Sequence, residues 1–197
     1  DNVGDVAGMG ADLFESYVNS IIAAMVIGLF VFGSQEYIVL PLMLTALGII
    51  SSIIGVFFVR AKDDRHLFSA MNKGLYSSTI IAAILSFAYI NYQGFDIGIF
   101  YAALSGLVVG VVIGLFTQYY TSSQYKPTQS IAIAAKTGAG TNVIQGLSVG
   151  MVSTLVPVLS VSIAVLISYH FAGLYGIAIA GVGMLATLGF TLAIETY

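Results

Sequence analysis

The first fifteen residues of the chain contain the side chains best suited to chemistry. Only nine of the 197 residues are acidic, yet four of these nine lie in this segment. They are Asp1, Asp5, Asp12 and Glu15. On an α-helix, at about 100° per residue, these four positions fall within roughly 80° of one another and extend over about 20 Å. The spacing therefore predicts a helix with one acidic face, formed by these four residues.

The two pairs on the acidic face suit different chemistry. Asp1 and Asp5 are one helical turn apart, a spacing at which hard carboxylate oxygens suit Mg²⁺ ions that bridge to a phosphate and activate water. Asp12 and Glu15 precede the apolar run 21–32 and would lie inside the bilayer, where a carboxylate is costly unless it is paired or hydrated. They suit a shared proton, a Na⁺ ion or a lysine partner. The acidic face thus predicts a hydrolytic site that continues into an ion gate.

Two other interpretations of the acidic face stay open on the residues alone. A secondary cation transporter or channel would use the embedded pair without hydrolysis. A solvated helix end, favoured by the helix dipole, would account for Asp1 and Asp5. A transporter, however, does not need two extra aspartates at Mg²⁺-bridging spacing. Hydrolysis coupled to ion movement is therefore the favoured interpretation.

The elements that carry these residues are predicted to be membrane helices. Hydrophobic residues make up 58% of the chain and charged residues 8%, and the mean hydropathy is +0.99. This composition excludes a nucleic-acid-binding protein, a secreted disulfide scaffold and a disordered tail. Six apolar runs are long enough to cross a bilayer: residues 6–33, 37–59, 74–92, 97–120, 139–171 and 174–194. We therefore expect an all-α polytopic membrane protein, with about six transmembrane helices in a single region, residues 1–197.

Basic residues indicate the orientation of these helices. Four lie in the second connection and two in the fourth, and the other three connections have none: the six are Arg60, Lys62, Arg65, Lys73, Lys126 and Lys136. By the positive-inside rule, the second and fourth connections and both ends of the chain are predicted to be cytoplasmic. The chain opens with Asp1 instead of Met and stops just after an apolar run, so we expect an internal piece of a longer polypeptide.

Small and polar residues inside the apolar runs predict how the helices pack. Gly106, Gly110 and Gly114 recur every fourth residue, which would let a neighbouring helix approach closely. Pro41 and Pro157 would kink their helices and leave a carbonyl that a neighbour must satisfy.

Polar side chains outside the acidic face receive structural interpretations. Asn142, Gln145 and Ser148 form a polar face, for which hydrogen bonding between helices is the favoured role. Asp96 is interpreted as a solvated loop charge.

Three segments resemble one protein family. Residues 1–17, DNVGDVAGMGADLFESY, closely resemble the sixth transmembrane helix of membrane-bound, ion-translocating inorganic pyrophosphatases. The sequences GAGTNVIQGLSVG at 138–150 and LAIETY at 192–197 also resemble that family. The match favours its sodium-pumping, potassium-stimulated bacterial and archaeal branch. The resemblance implies an enzyme that hydrolyses pyrophosphate and pumps sodium ions, or protons, across the membrane.

The resemblance also implies roles for individual residues. Asp1 would bind the magnesium–pyrophosphate complex, and Asp5 would bind metal and hold the nucleophilic water. Asp12 would belong to the ion gate, where Glu15, with Ser16 beside it, would bind the transported sodium ion or proton.

One position separates branches of the family. Plant-type proton pumps carry the gate glutamate about one turn after Glu15, and Asn19 stands there in this chain. This argues against the plant type. Potassium-independent proton pumps can also carry the earlier glutamate, so both ions stay open.

The family fold implies a larger assembly. It has sixteen helices in two concentric rings and forms a homodimer, so this chain would supply about six helices. Mg²⁺ is the implied cofactor, and K⁺ and Na⁺ are the implied activators. The remaining ligands would come from the rest of the same polypeptide, and this chain alone would be inactive. The intact protein is expected in a prokaryotic plasma membrane, with lipid around it and no nucleic-acid partner.

Overall fold

The computed structural model describes residues 2–59, 67–190 and 192. Seven helices cover most of this part of the chain, which contains no strand. They are α1 (Asn2–Phe32), α2 (Gln35–Val56), α3 (Leu67–Gln93), α4 (Ile97–Thr121), α5 (Lys126–Ala135), α6 (Ala139–Ser153) and α7 (Leu155–Leu185). The predicted all-α class is confirmed.

Five segments of the described chain are long and apolar enough to cross a membrane. They are Val6–Phe32, Gln35–Val56, Ser69–Gln93, Ile97–Ala135 and Ala139–Phe190. The last of these covers the apolar run 139–171 and most of the run 174–194, which the sequence separates. The chain is therefore a polytopic membrane segment.

The backbone of α7 is interrupted where the sequence predicts its fifth connection. Ala172 (φ −141°) and Gly173 (φ 60°) are not helical. A Cβ built on Gly176 would fall on the carbonyl oxygen of Ser168, although residues eight apart on a straight helix are separated by about 12 Å. The chain therefore folds back here, at a positive φ that glycine adopts readily.

This reversal divides α7 into a first limb, residues 155–171, and a second limb, residues 174–185. A one-residue interruption precedes the first limb. α6 ends at Ser153, and Pro157 has no N–H to bond to the carbonyl of that residue four positions earlier. Thr154 between the two helices keeps a right-handed helical backbone (φ −77°, ψ −16°), in agreement with the kink that the sequence predicts at Pro157.

The chain divides into two compact units. One contains the described part of residues 1–111 and 164–197, and the other is residues 112–163. The first unit has a core of buried residues from α1, α2, α3, α4 and α7: Ala24, Leu40, Leu44, Ile90, Ile99, Ala103, Tyr175, Ile179 and Val182. In the second unit, α5 and α6 contain no fully buried residue.

Small residues bring α4 and the second limb of α7 together in the first unit. A Cβ on Gly106 would fall on the carbonyl oxygen of Ala180, and one on Gly110 would lie 2.9 Å from that of Met184. These two glycines therefore allow the predicted close approach. For Gly114, which lies in the second unit, no such contact is observed: apart from the backbone of its own helix, no atom of the described chain lies within 4 Å of a Cβ built there.

Three connections of the first unit meet at one end, which we call the turn end. The ring of Tyr37, just after the first connection, contacts Phe95 in the third, with centroids 5.1 Å apart. A Cβ on Gly98 would fall on the carbonyl oxygen of Phe171, beside the fifth. These are the connections that lack basic residues, so their clustering supports the predicted division of the connections between two sides.

Candidate catalytic and ion-binding face

The helix that carries the acidic face is continuous. α1 runs from Asn2 to Phe32, so Asp5, Asp12 and Glu15 share one helix, with about 15 Å of axial rise between the first and the last. Asp1 lies outside the described residues, as does the side chain of Asp5. The described backbone thus aligns the two embedded carboxylates with the position of Asp5.

The side chains of the embedded pair are exposed in this chain. Asp12, Glu15 and Ser16 are all exposed, and so is Asn19 on the same face. The packed side of α1 lies about 120–160° around the helix from Asp12 and contains the buried residues Ala24 and Gly28. The acidic face is therefore directed away from the core of the first unit, toward other helices or water.

The chemistry available to this face follows from its oxygen ligands. Two carboxylates and a hydroxyl at positions 12, 15 and 16 suit a proton or a hard cation such as Na⁺. Within the described residues, no group of three or more His, Cys, Asp and Glu side chains could hold a metal ion. A complete metal site would therefore need ligands beyond those that the structure describes.

A cleft lies on the other side of α1, opposite the acidic face. It has a volume of about 290 Å³, and Gly10, Leu13 and Tyr17 line it together with α2 and residues 185–192. Its surface is mostly apolar, and Ser52 in its wall donates a hydrogen bond to the carbonyl of Ala186 at 3.2 Å. None of the described residues that line the cleft is charged.

The prediction that the polar face of α6 forms hydrogen bonds between helices is confirmed only in part. Gln145 donates a hydrogen bond from Nε2 to the hydroxyl of Ser130 on α5, at 3.1 Å, which confirms its role between helices. Ser148 is exposed. The Oδ1 atom of Asn142 is buried without a hydrogen bond partner. Hydrogen bonding between helices is therefore observed for only one of these three side chains.

Asp96, interpreted from the sequence as a solvated loop charge, also has a structural role at the start of α4. Its Oδ1 accepts a hydrogen bond from the backbone N–H of Gly98 at 2.6 Å. It thus caps the start of α4, a position where a carboxylate stabilises the free N–H groups.

The basic residues are only partly described. Arg60, Lys62 and Arg65 lie outside the described residues, and Lys73 lies within α3. The resembling segment 192–197 also lies outside them, apart from Leu192.

Sequence reasoning missed Tyr175, a fully buried tyrosine in the second limb of α7. Its hydroxyl donates a hydrogen bond to the carbonyl oxygen of Tyr37 at 2.7 Å. The sequence does indicate the acceptor of this hydrogen bond, because Tyr37 lies four residues before Pro41, which has no N–H for that carbonyl. The donor, 138 residues further along the chain, has no signal in the sequence.

Five helical segments long and apolar enough to cross a membrane place this chain in an integral membrane protein. A model of the family described as inorganic H⁺ pyrophosphatase matches residues 1–197. The chain belongs to this family of membrane pyrophosphatases.

Relatives of known description are similar along the whole chain. A provisionally named K(+)-stimulated pyrophosphate-energized sodium pump of Clostridium tetani is 46% identical, over 100% of this chain and 31% of the relative. A K(+)-insensitive pyrophosphate-energized proton pump of Methanosarcina mazei is 44% identical over the same shares. A second such proton pump, of Moorella thermoacetica, is 43% identical, again over 100% of this chain and 31% of the relative. The chain thus spans about a third of the length of these relatives.

Proposed function

We propose that the intact protein hydrolyses inorganic pyrophosphate and uses the energy to pump sodium ions across the membrane. The observation that carries this proposal is the unbroken helix α1, on which Asp5, Asp12 and Glu15 share one face. Membership of the family supports it, as do the names of the relatives, all of which describe pyrophosphate-energized pumps. One helix would then connect the hydrolytic site to the ion gate.

The two pairs of acidic residues on this face have different roles in the proposal. Asp1 and Asp5 hold Mg²⁺ ions on the pyrophosphate, and Asp5 also holds the attacking water. Mg²⁺ supplies charge neutralisation and helps deprotonate that water when it is bound. Asp12 and Glu15 form the gate with Ser16, whose exposed side chain lies beside theirs.

The transported ion is the finer part of the proposal. Sodium is favoured because the relative with 46% identity carries that name, and because Asn19 occupies the position of the plant-type gate glutamate. Proton pumping is the second candidate, since relatives with 44% and 43% identity are named as proton pumps. We propose K⁺ as an activator on the same basis, and a homodimer in a prokaryotic plasma membrane as the working form.

The experiment uses the full-length protein in liposomes. Phosphate release from pyrophosphate is measured with Mg²⁺, with and without Na⁺ and K⁺, while Na⁺ uptake and internal pH are recorded. Hydrolysis that depends on Na⁺ and is accompanied by Na⁺ uptake is the expected result. Hydrolysis with acidification and no Na⁺ requirement would support the proton pump. Ion movement without any hydrolysis would contradict the proposal and favour a secondary transporter or channel.

A further inference from the structure

A buried tyrosine completes the hydrogen bonding of a helix that proline interrupts. In an α-helix the carbonyl of Tyr37 would accept a hydrogen bond from the N–H four residues later. That residue is Pro41, which lies inside α2 and has no N–H. The hydroxyl of Tyr175 donates to this carbonyl at 2.7 Å instead. The second limb of α7 therefore supplies what the proline removes from α2.

Close packing brings α1 to the same point. A Cβ on Gly28 would lie 2.6 Å from the carbonyl oxygen of Tyr37 and 2.9 Å from Cε2 of Tyr175. The ring of Phe32 stacks on that of Tyr37, with centroids 3.8 Å apart, and meets the ring of Tyr175 edge-on at 5.4 Å. Helices α1, α2 and the second limb of α7 are thus interlocked at the turn end.

Two clefts lie along α1 in the described part of the chain. One, of about 330 Å³, is lined by Ala23 and Ile27 on α1 and by Leu174 and Ile177 on the second limb, so it begins directly beside Gly28 and Tyr175. The other, of about 290 Å³, lies further along, between α1 near Leu13, α2 and the end of the limb at Leu185. The contact around Gly28 is thus flanked by a cleft, and it is the hydrogen bond of Tyr175 and the packed rings that join the limb to α1 and α2 there.

We propose that Tyr175 is a positioning residue for ion pumping, a role that rests on the proposed function. Its hydrogen bond to Tyr37 holds the second limb of α7 against α1 and α2 at the turn end. This sets the register of the limb relative to α1, the helix that carries the acidic face. Without the hydrogen bond the limb shifts relative to Glu15, and hydrolysis proceeds with fewer ions moved.

The test compares Tyr175→Phe with the unaltered full-length protein in liposomes. The variant keeps the ring and its packing but leaves the carbonyl of Tyr37 buried and unpaired. One ordinary hydrogen bond changes the equilibrium between the held and the shifted position of the limb by roughly fivefold. We therefore expect the number of ions moved per pyrophosphate hydrolysed to fall below that of the unaltered protein. Hydrolysis itself should continue, because Tyr175 lies at the opposite end of α1 from Asp5.

The matched control restores the hydrogen bond in another way. Pro41→Ala supplies an N–H four residues after Tyr37, which can pair with the same carbonyl within α2. Combined with Tyr175→Phe, it should return the ratio of ions to pyrophosphate close to that of the unaltered protein. Pro41→Ala alone should leave the ratio unchanged.

Each other outcome would overturn the positioning role. An unchanged ratio in Tyr175→Phe would do so, even if the variant unfolded at a lower temperature, because the tyrosine would then be merely structural. A deficit that persists in the double variant would show that the hydrogen bond is not its cause. An absence of hydrolysis in the unaltered protein would refute the proposed function as well, which separates that failure from the other two.

Discussion

At the scale of single residues, Asp5 and the embedded pair differ in what their loss should change. Asp5 lies near the start of α1, where a metal-bound phosphate could meet water. Asp12 and Glu15 lie deeper and are exposed on the same side of the helix. A neutral side chain at either place should therefore damage one half of the coupled reaction more than the other.

We predict that Asp5→Asn abolishes pyrophosphate hydrolysis by the intact protein. Asparagine keeps the size of the side chain but cannot accept a proton from water, and loss of such a group costs about 10²–10⁴-fold in rate. Phosphate release with saturating Mg²⁺ measures the effect. Glu36→Gln is a matched control, because Glu36 is an exposed carboxylate at the turn end. Near-normal turnover in Asp5→Asn would contradict its role in catalysis.

We predict that Glu15→Ala weakens sodium activation more than substrate binding. In the proposed gate Glu15 is one of two carboxylates, with Asp12, and its loss would remove a charge that compensates Na⁺ in a low-dielectric setting. The Na⁺ concentration for half-maximal hydrolysis should rise by about tenfold or more, the effect of losing one charged hydrogen-bonding partner. The KM for pyrophosphate should change little. Sodium activation equal to that of Glu36→Gln would count against a site at Glu15.

At the scale of the elements, close helix contact depends on particular glycines. Gly106 and Gly110 contact the second limb of α7, whereas a Cβ on Gly114 would meet no atom of the described chain apart from the backbone of its own helix. The spacing of four residues is the same in all three cases. The spacing alone therefore does not identify which of these glycines lies in a close helix contact.

We predict that Gly106→Ala destabilises the protein and that Gly114→Ala does not. The added methyl group at position 106 would overlap the carbonyl of Ala180, and overpacking of this kind costs about 1–3 kcal/mol. At position 114 the methyl group would meet no atom of the described chain within 4 Å apart from its own helix backbone, and alanine favours the helix by up to about 1 kcal/mol. Thermal unfolding of the intact protein in detergent should show a lower midpoint for the first variant only. Equal midpoints would argue that α4 and α7 pack elsewhere.

The sequence predicts the existence of the helices better than it predicts their contacts. Apolar runs report burial in lipid, so the all-helical membrane fold follows from composition and length. Proline marks a carbonyl that lacks its helical partner, but it does not identify the group that replaces that partner. Pro41 lies inside the continuous helix α2, where Tyr175 satisfies the freed carbonyl. That partner is distant in sequence, so only the folded chain identifies it.

At the candidate site, too, one part follows from the sequence and another part only from the folded chain. The helical period aligns Asp5, Asp12 and Glu15 from the sequence alone, and the continuous helix α1 agrees with it. Which side of α1 packs against the core depends on Ala24, Gly28 and their partners in other helices. The period could therefore predict the acidic face, but the interlock at Tyr175 emerges only from the folded chain.

At the scale of the whole molecule, the orientation of the two sets of connections is open to a direct test. The connections without basic residues meet at the turn end, and we propose that this end faces away from the cytoplasm. The chain has no cysteine, so a single cysteine introduced into it carries a clear signal once any others in the intact protein are replaced. Tyr92 and Ser123 are suitable positions because both are exposed and lie in or beside connections of opposite kinds.

We predict that Tyr92→Cys reacts with a membrane-impermeant maleimide on intact cells and that Ser123→Cys reacts only after the cells are opened. Tyr92 lies at the end of α3, close to the third connection, and Ser123 lies between α4 and α5, in the connection that carries Lys126. A bilayer between the two positions requires opposite labelling, since α4 is long and apolar enough to cross it. Labelling of both from outside would show that α4 does not span. The reverse pattern would mean that α1 crosses the membrane in the opposite direction, with its start and Asp5 outside the cell. The proposed pump would then have no access to cytoplasmic pyrophosphate.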